Sequence, residues 1–137
     1  MTDTRQSRPD IAHAPCLPAR LIRLGAVAGA LLALLILYGT LNPQPPGPPL
    51  TGHTDKLVHF LAFGALSLVL SAFSVMPIRM MVPLVVAYGG AIELVQPSFG
   101  RTAAWGDFWA NNAGVAAGVL VGLALNRALR RRYAPAR

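Results

Sequence analysis

The stretch LIRLGAVAGALLALLILYGTL, residues 21–41, contains no charged side chain after Arg23. A run of about 20 apolar residues is long enough to cross the hydrocarbon core of a bilayer as a single helix. A cleaved signal peptide would have a shorter apolar region and a small-residue cleavage site after it. Here the run is long and continues into the proline-rich segment NPQPPGPP. The stretch therefore predicts a transmembrane helix that the protein retains.

Three more apolar runs follow the first, at residues 55–75, 80–96 and 105–125. Hydrophobic residues make up 54% of the 137 residues and charged residues only 12%, whereas a soluble domain has about 25% charged residues. The predicted fold is an all-α polytopic bundle of four transmembrane helices. Its predicted parts are a disordered tail at 1–20, a membrane domain at 21–126 and a basic tail at 127–137.

The basic residues stand at the ends of the apolar runs, which argues against nucleic-acid binding despite a formal net charge of +7. Cytoplasmic flanks of membrane proteins carry an excess of Lys and Arg. With the N-terminus inside, ten basic residues face the cytoplasm: Arg5, Arg8, Arg20, Arg23, Arg79, Arg127, Arg130, Arg131, Arg132 and Arg137. Only Lys56 and Arg101 face outward. This distribution predicts that both termini are cytoplasmic.

Glycines recur every four residues along the fourth run, at Gly114, Gly118 and Gly122. This spacing places them on one face of a helix, where small residues allow another helix to approach closely. The stripe predicts a helix-packing surface. Its partner could be another helix of the same chain or a second copy in a helix-mediated oligomer.

Polar residues near the membrane are few, and they collect at the outer ends of the predicted spans. They are Asp55, Lys56, His59, Glu93, Gln96, Arg101, Asp107, Asn111 and Asn112. An ionisable group at a helix centre costs about 2.5–3.5 kcal/mol on insertion scales, so such groups pair, line a wet cavity or perform chemistry. Asp55 and His59 are four residues apart and share a helix face. The pattern predicts one shared external site.

Within this site we assign His59, Glu93 and Asp107 as candidate catalytic residues. The candidate binding residues are Asp55, Lys56, Gln96, Arg101 and Asn111. We assign no metal site, because the spacing of two carboxylates and one histidine is not diagnostic, and no cofactor follows from the sequence. Structural alternatives stay open: Asp55 and Asp107 as helix caps, Lys56 extended to the interface, His59 as a packing residue, and a purely structural ion pair of Glu93 with Arg101.

Two ordered motifs resemble those of the VanZ-like family. The first is Asp55-Lys56-x-x-His59-Phe60-x-x-Phe63-Gly64. The second is Glu93-x-x-Gln96, then Gly100-Arg101, then Asp107-x-x-x-Asn111-x-x-Gly114-x-x-x-Gly118. The resemblance covers about half of the chain. It implies a small helical protein of the bacterial cytoplasmic membrane, in a family whose founding member is associated with resistance to the glycopeptide teicoplanin.

Two classes of function are compatible with these features. In the first, the chain is a membrane enzyme, with a carboxylate or His59 as general acid or base acting on a lipid-linked envelope molecule. In the second, it is an accessory protein that binds an envelope lipid, a glycopeptide or a partner membrane protein without turnover. The sequence contains no nucleophile motif, HExxH motif or phosphate-binding loop, so it does not decide between the two classes.

Overall fold

The computed structural model describes residues 17–42, 53–100 and 104–133, and within these ranges the chain is helical without a strand. Four helices follow one another: α1 (Ala19–Leu41), α2 (His53–Ala72), α3 (Ile78–Val95) and α4 (Trp105–Arg132). A short 3₁₀ helix, Gln96–Phe99, extends α3. All four long helices are long and apolar enough to cross a membrane. The predicted four-helix fold is confirmed.

Two helix boundaries differ from the prediction. α2 ends at Ala72 rather than at residue 75, because Ser74 adopts a left-handed backbone conformation with φ 51°. The amide of Val75 then donates to the carbonyl of Leu70 at 3.1 Å, which closes the helix as a Schellman motif. α4 continues to Arg132, so the first part of the predicted basic tail is helical. Arginine, leucine and alanine are good helix formers, and no breaker interrupts them.

The predicted tail at residues 1–20 and the proline-rich loop fall largely outside the described residues. Of these segments, the structure describes Leu17 to Arg20 and Asn42, and it places Ala19 and Arg20 already in α1.

The glycine stripe of α4 packs against α2 of the same chain. A methyl group added at Gly114 would overlap the carbonyl oxygen of Phe60, and one added at Gly118 would overlap that of Gly64. Because both contact positions advance together along the chain, the two helices run parallel. The predicted packing surface is confirmed, but α2 already covers it. An oligomer formed through this stripe stays a prediction that the described contacts do not support.

α1 and α3 complete the bundle around this parallel pair. Gly25 and Gly29 of α1 lie against Phe73 and Leu70, and the hydroxyl of Tyr88 in α3 donates to the carbonyl of Ala33 at 2.5 Å. The core between the helices is apolar and includes Phe63, Leu66, Met81, Val85, Ile92 and Val115. Large apolar side chains also cover the outer faces of the helices, for example Leu24, Leu31 and Leu34, as contact with lipid requires.

The bundle has two chemically different ends. The end at which α2 and α4 begin, and α1 and α3 finish, is called the His59 end. The opposite end contains the α2–α3 turn and is called the Ser74 end. The excess of basic residues lies at the Ser74 end, where α4 finishes with Arg130, Arg131 and Arg132. By the positive-inside pattern this end is predicted to be cytoplasmic.

Candidate functional site

The parallel arrangement of α2 and α4 brings their first turns together at the His59 end. Asp55 lies in the first turn of α2 and Asp107 in the first turn of α4. The last turn of α3 brings Glu93 to the same place. The six residues gathered here, called the polar cluster below, are Asp55, Lys56, His59, Glu93, Asp107 and Asn111.

His59 lies at the centre of the polar cluster and is only 4% exposed. Its Nδ1 is 3.0 Å from Oδ1 of Asn111 and 3.9 Å from Oε1 of Glu93. An amide oxygen only accepts hydrogen bonds, so this contact is a hydrogen bond when Nδ1 carries the proton. The second ring nitrogen, Nε2, is then the basic one. The buried imidazole is thus held by side chains from two other helices.

Glu93 connects α3 to the beginning of α4. Its Oε2 accepts a hydrogen bond from the backbone amide of Ala104 at 3.4 Å. Its Oε1 has no hydrogen-bond partner among the described residues, although the side chain is buried. Glu93 thus lies beside His59, as their assignment to one external site predicts. Arg101, considered above as its ion-pair partner, lies outside the described residues.

Asp107 is 4% exposed, and its Oδ1 also lacks a hydrogen-bond partner in the described part of the chain. The nearest cation described is Nζ of Lys56, at 3.7 Å. The N-cap of α4 is Ala104, so the alternative role of Asp107 as the helix cap is wrong. Lys56 is half-exposed, and its aliphatic stem lies against Gly106. Its ammonium group can therefore leave Asp107 for water without disturbing the bundle.

Three members of the polar cluster bring possible metal-ligating atoms close together. Asp55, His59 and Asp107 each offer one such atom, and these atoms all lie within 4.8 Å of one another. The spacing along the sequence could not indicate this group. Asp55 and His59 are one turn apart on α2, but Asp107 reaches them only because α4 packs closely against α2.

Gln96 makes a structural contact outside the polar cluster, Asn112 bonds within its own helix, and the cap role considered for Asp55 is wrong. Gln96 is buried and donates from Nε2 to the carbonyl of Thr40 at 3.3 Å. Gln96 therefore links the 3₁₀ helix to the end of α1, and its described hydrogen bond is structural. Asn112 donates to the carbonyl of Phe108 in its own helix at 2.7 Å. Asp55 lies within α2, which begins at His53, so it is not the helix cap.

A groove of about 270 Å³ lies between α3 and α4 beside the polar cluster. Among the described residues, Glu93 is the charged one in its lining, and the others are Gly90, Leu94, Ala104, Trp105 and Phe108. This groove was not predicted from the sequence. The sequence feature that could have indicated it is a glycine one turn before Glu93 on α3, combined with aromatic residues at the start of α4.

Comparisons of this chain with known protein families, with curated proteins and with solved structures found no match. The resemblance to the VanZ-like family stays a prediction from the motifs.

Proposed function

We propose that this chain is a VanZ-like membrane protein of the bacterial cytoplasmic membrane that binds or acts on a lipid or lipid-linked envelope molecule. The polar cluster would receive the head of that molecule at the extracytoplasmic face. One observation carries the proposal: Glu93 belongs both to the wall of the groove and to the surroundings of His59. The groove thus leads from the apolar side of the bundle to the buried polar groups.

The lining of the groove suits a hydrocarbon chain. Leu94, Trp105 and Phe108 provide apolar surface, and Trp105 is 81% exposed at the start of α4. Binding sites for small molecules are mainly apolar with a few convergent polar groups. A lipid tail lying between α3 and α4 would place its polar end next to Glu93.

The polar cluster supplies the groups that acid–base chemistry needs. The contacts to Asn111 and Glu93 hold His59 Nδ1 and direct Nε2 to act as base or acid, as carboxylates and amides do for catalytic histidines. Asp107 is a second buried carboxylate beside it. These features favour an enzyme, and the experiment below separates turnover from binding alone.

The proposal is tested by comparing lipid extracts by mass spectrometry. The strains are a deletion mutant and the same mutant carrying wild type, Glu93→Gln, Gly90→Leu or Gly39→Leu at equal membrane levels. Leucine at Gly90 would occupy the groove, whereas a Cβ at Gly39 meets nothing within 4 Å. We expect a lipid or lipid-linked species to accumulate in the deletion mutant. Wild type and Gly39→Leu should restore its level, and the other two variants should not.

Identical lipid profiles in all strains would contradict the proposal. If the species co-purifies with wild-type protein but its amount in the cell never changes, the accessory-protein alternative replaces the enzyme. The link to glycopeptides that the resemblance implies is tested in the same strains. Loss of the chain should lower the concentration of teicoplanin that stops growth, and Glu93→Gln should fail to restore it.

A further inference from the structure

The donor atoms of Asp55, His59 and Asp107 are close enough to serve one metal ion. They lie within 4.8 Å of one another. Nitrogen and oxygen ligands bind Zn²⁺ at about 2.0–2.2 Å in tetrahedral geometry, so two donors on one ion are about 3.3–3.6 Å apart. Side-chain movements of less than about an ångström would therefore bring all three into coordinating positions.

A second observation also points to a missing ligand. Oε1 of Glu93, Oδ1 of Asp107 and Nδ2 of Asn111 are all buried without a hydrogen-bond partner among the described residues. Glu93 is only 7% exposed, and its Oε1 is directed towards His59 at 3.9 Å. Buried polar atoms are nearly always paired, and an unpaired group indicates strain, function or an absent water or ion.

The balance of charges favours a cation over an anion. Asp55, Glu93 and Asp107 contribute three carboxylates, and Lys56 is the one lysine or arginine of the polar cluster as described. Isolated carboxylates are costly in a low-dielectric environment, and paired charges or metal ions relieve that cost. A phosphate group alone would meet repulsion from these carboxylates.

We propose that Asp55, His59 and Asp107 bind one divalent metal ion with the preferences of Zn²⁺. Imidazole together with carboxylates favours Zn²⁺ over Mg²⁺, which prefers oxygen ligands only. His59 coordinates through Nε2, since Asn111 holds Nδ1. Asn111 and Glu93 then act as the outer partners that orient a metal-binding histidine. Three protein ligands leave a position open for water or a ligand oxygen.

This inference rests on the site of the proposed function and narrows its ligand class. With the ion bound, Nε2 of His59 is a ligand, and the acid–base role of the proposed function passes to the carboxylate of Glu93. A bound cation would reverse the local charge from repelling to attracting an anionic group. The lipid-linked molecule would then present a phosphate or carboxylate oxygen to the open coordination position.

The test uses tag-free protein in neutral detergent, carrying His13→Ala and His53→Ala. The natural chain has three histidines, so His59 is the only one left in this variant. The protein is stripped with a chelator and titrated with Zn²⁺, and with Co²⁺ for its absorption bands. We expect one equivalent of Zn²⁺ to bind and Mg²⁺ to bind far more weakly.

The variants give effects of opposite sign. His59→Ala and Asp107→Asn should weaken Zn²⁺ binding by more than about 100-fold, and Asn111→Ala by about 10-fold, since outer partners contribute less than ligands. Lys56→Met should strengthen binding by about 3–10-fold, because it removes a competing ammonium group 3.7 Å from Asp107. A cluster without a metal-binding role gives no such increase.

Absence of Zn²⁺ binding to the folded parent protein would overturn the inference. Binding that Asp107→Asn and Lys56→Met both leave unchanged would overturn it too. If His59→Ala does not fold, the Zn²⁺ affinities of Asp107→Asn and Lys56→Met still test the inference. Lipid capture is measured separately on chelator-treated protein and on Gly90→Leu. Loss of metal binding and loss of lipid binding are thus recorded as different results.

Discussion

The Ser74 end and the His59 end both bury polar side chains between helices, but they treat them differently. At the Ser74 end, Asn126 donates to the carbonyl of Ala72 at 2.6 Å and to Oγ of Ser74 at 2.8 Å. Arg130 donates to Oδ1 of Asn126 at 2.7 Å and to Ser74 at 3.0 Å. Both polar atoms of the Asn126 amide thus have partners, and the network ties α4 to the α2–α3 turn.

At the His59 end the hydrogen bonds are incomplete. Atoms of Glu93, Asp107, Asn111 and Gln96 are buried there without a hydrogen-bond partner among the described residues. One further atom of this kind, Oγ of Ser67, lies midway along α2. Leaving a buried polar group unpaired costs about 1–3 kcal/mol. In Asp107 and Glu93 the unpaired atom belongs to an ionisable carboxyl group. A purely structural network would not leave such a group unpaired.

The two ends therefore differ in how completely their buried polar atoms are hydrogen-bonded. The Ser74 end is a completed structural network. The His59 end retains buried polar atoms that have no hydrogen-bond partner among the described residues. Both ends depend on the same close contact between α2 and α4, so substitutions along that contact should affect both.

The largest effect is expected for Gly118→Ala. The added methyl group would overlap the carbonyl oxygen of Gly64, and backbone cannot move aside as a flexible side chain can. We expect the free energy of unfolding in mixed detergent and SDS to fall by about 3 kcal/mol, the upper end of the usual range for overpacked cores, because the overlap is with backbone.

Gly39→Ala is the matched control, because a Cβ at that position meets nothing within 4 Å. Alanine is the better helix former by about 1 kcal/mol, so this variant should be unchanged or more stable. Equal destabilisation by the two substitutions would show that the α2–α4 contact is not as close as described.

A smaller loss is expected for Asn126→Ala at the Ser74 end. The substitution leaves the carbonyl of Ala72 and Nε of Arg130 without their present partner, and we expect a loss of about 2 kcal/mol. Zn²⁺ and lipid binding per folded molecule should stay unchanged.

Asn112→Ala is the control for Asn126→Ala, since Asn112 bonds only a carbonyl of its own helix. Its effect should stay below about 1 kcal/mol. If Asn126→Ala were no more destabilising than Asn112→Ala, the network at the Ser74 end would not be structural.

Hydrophobic run length and residue spacing predicted the architecture well. The four runs gave the four helices, because membrane thickness dictates length and composition together. The glycine period in α4 predicted its packing face. It could not identify the partner, because small residues serve contacts within a chain and between chains equally.

The candidate site was predicted in part. Asp55, Lys56, His59, Glu93, Asp107 and Asn111 come together as expected, since all lie near the same ends of their helices. Gln96 was assigned to binding with the other polar residues at the outer ends of the predicted spans. The 3₁₀ turn that begins at Gln96 instead directs its side chain to Thr40. The groove and the donor group of Asp55, His59 and Asp107 depend on helix separation, about which spacing along one helix carries no information.

We infer that the His59 end is a ligand site and not a structural network, and the substitution Glu93→Gln distinguishes these two roles. Glutamine keeps an acceptor for the amide of Ala104 and removes a buried charge. Its free energy of unfolding should be measured beside that of Asn126→Ala in the same detergent. We predict that Glu93→Gln is as stable as wild type, or more stable by up to about 1 kcal/mol, and fails to restore the lipid profile. A loss of about 2 kcal/mol, matching that of Asn126→Ala, would contradict the claim and make Glu93 a structural residue.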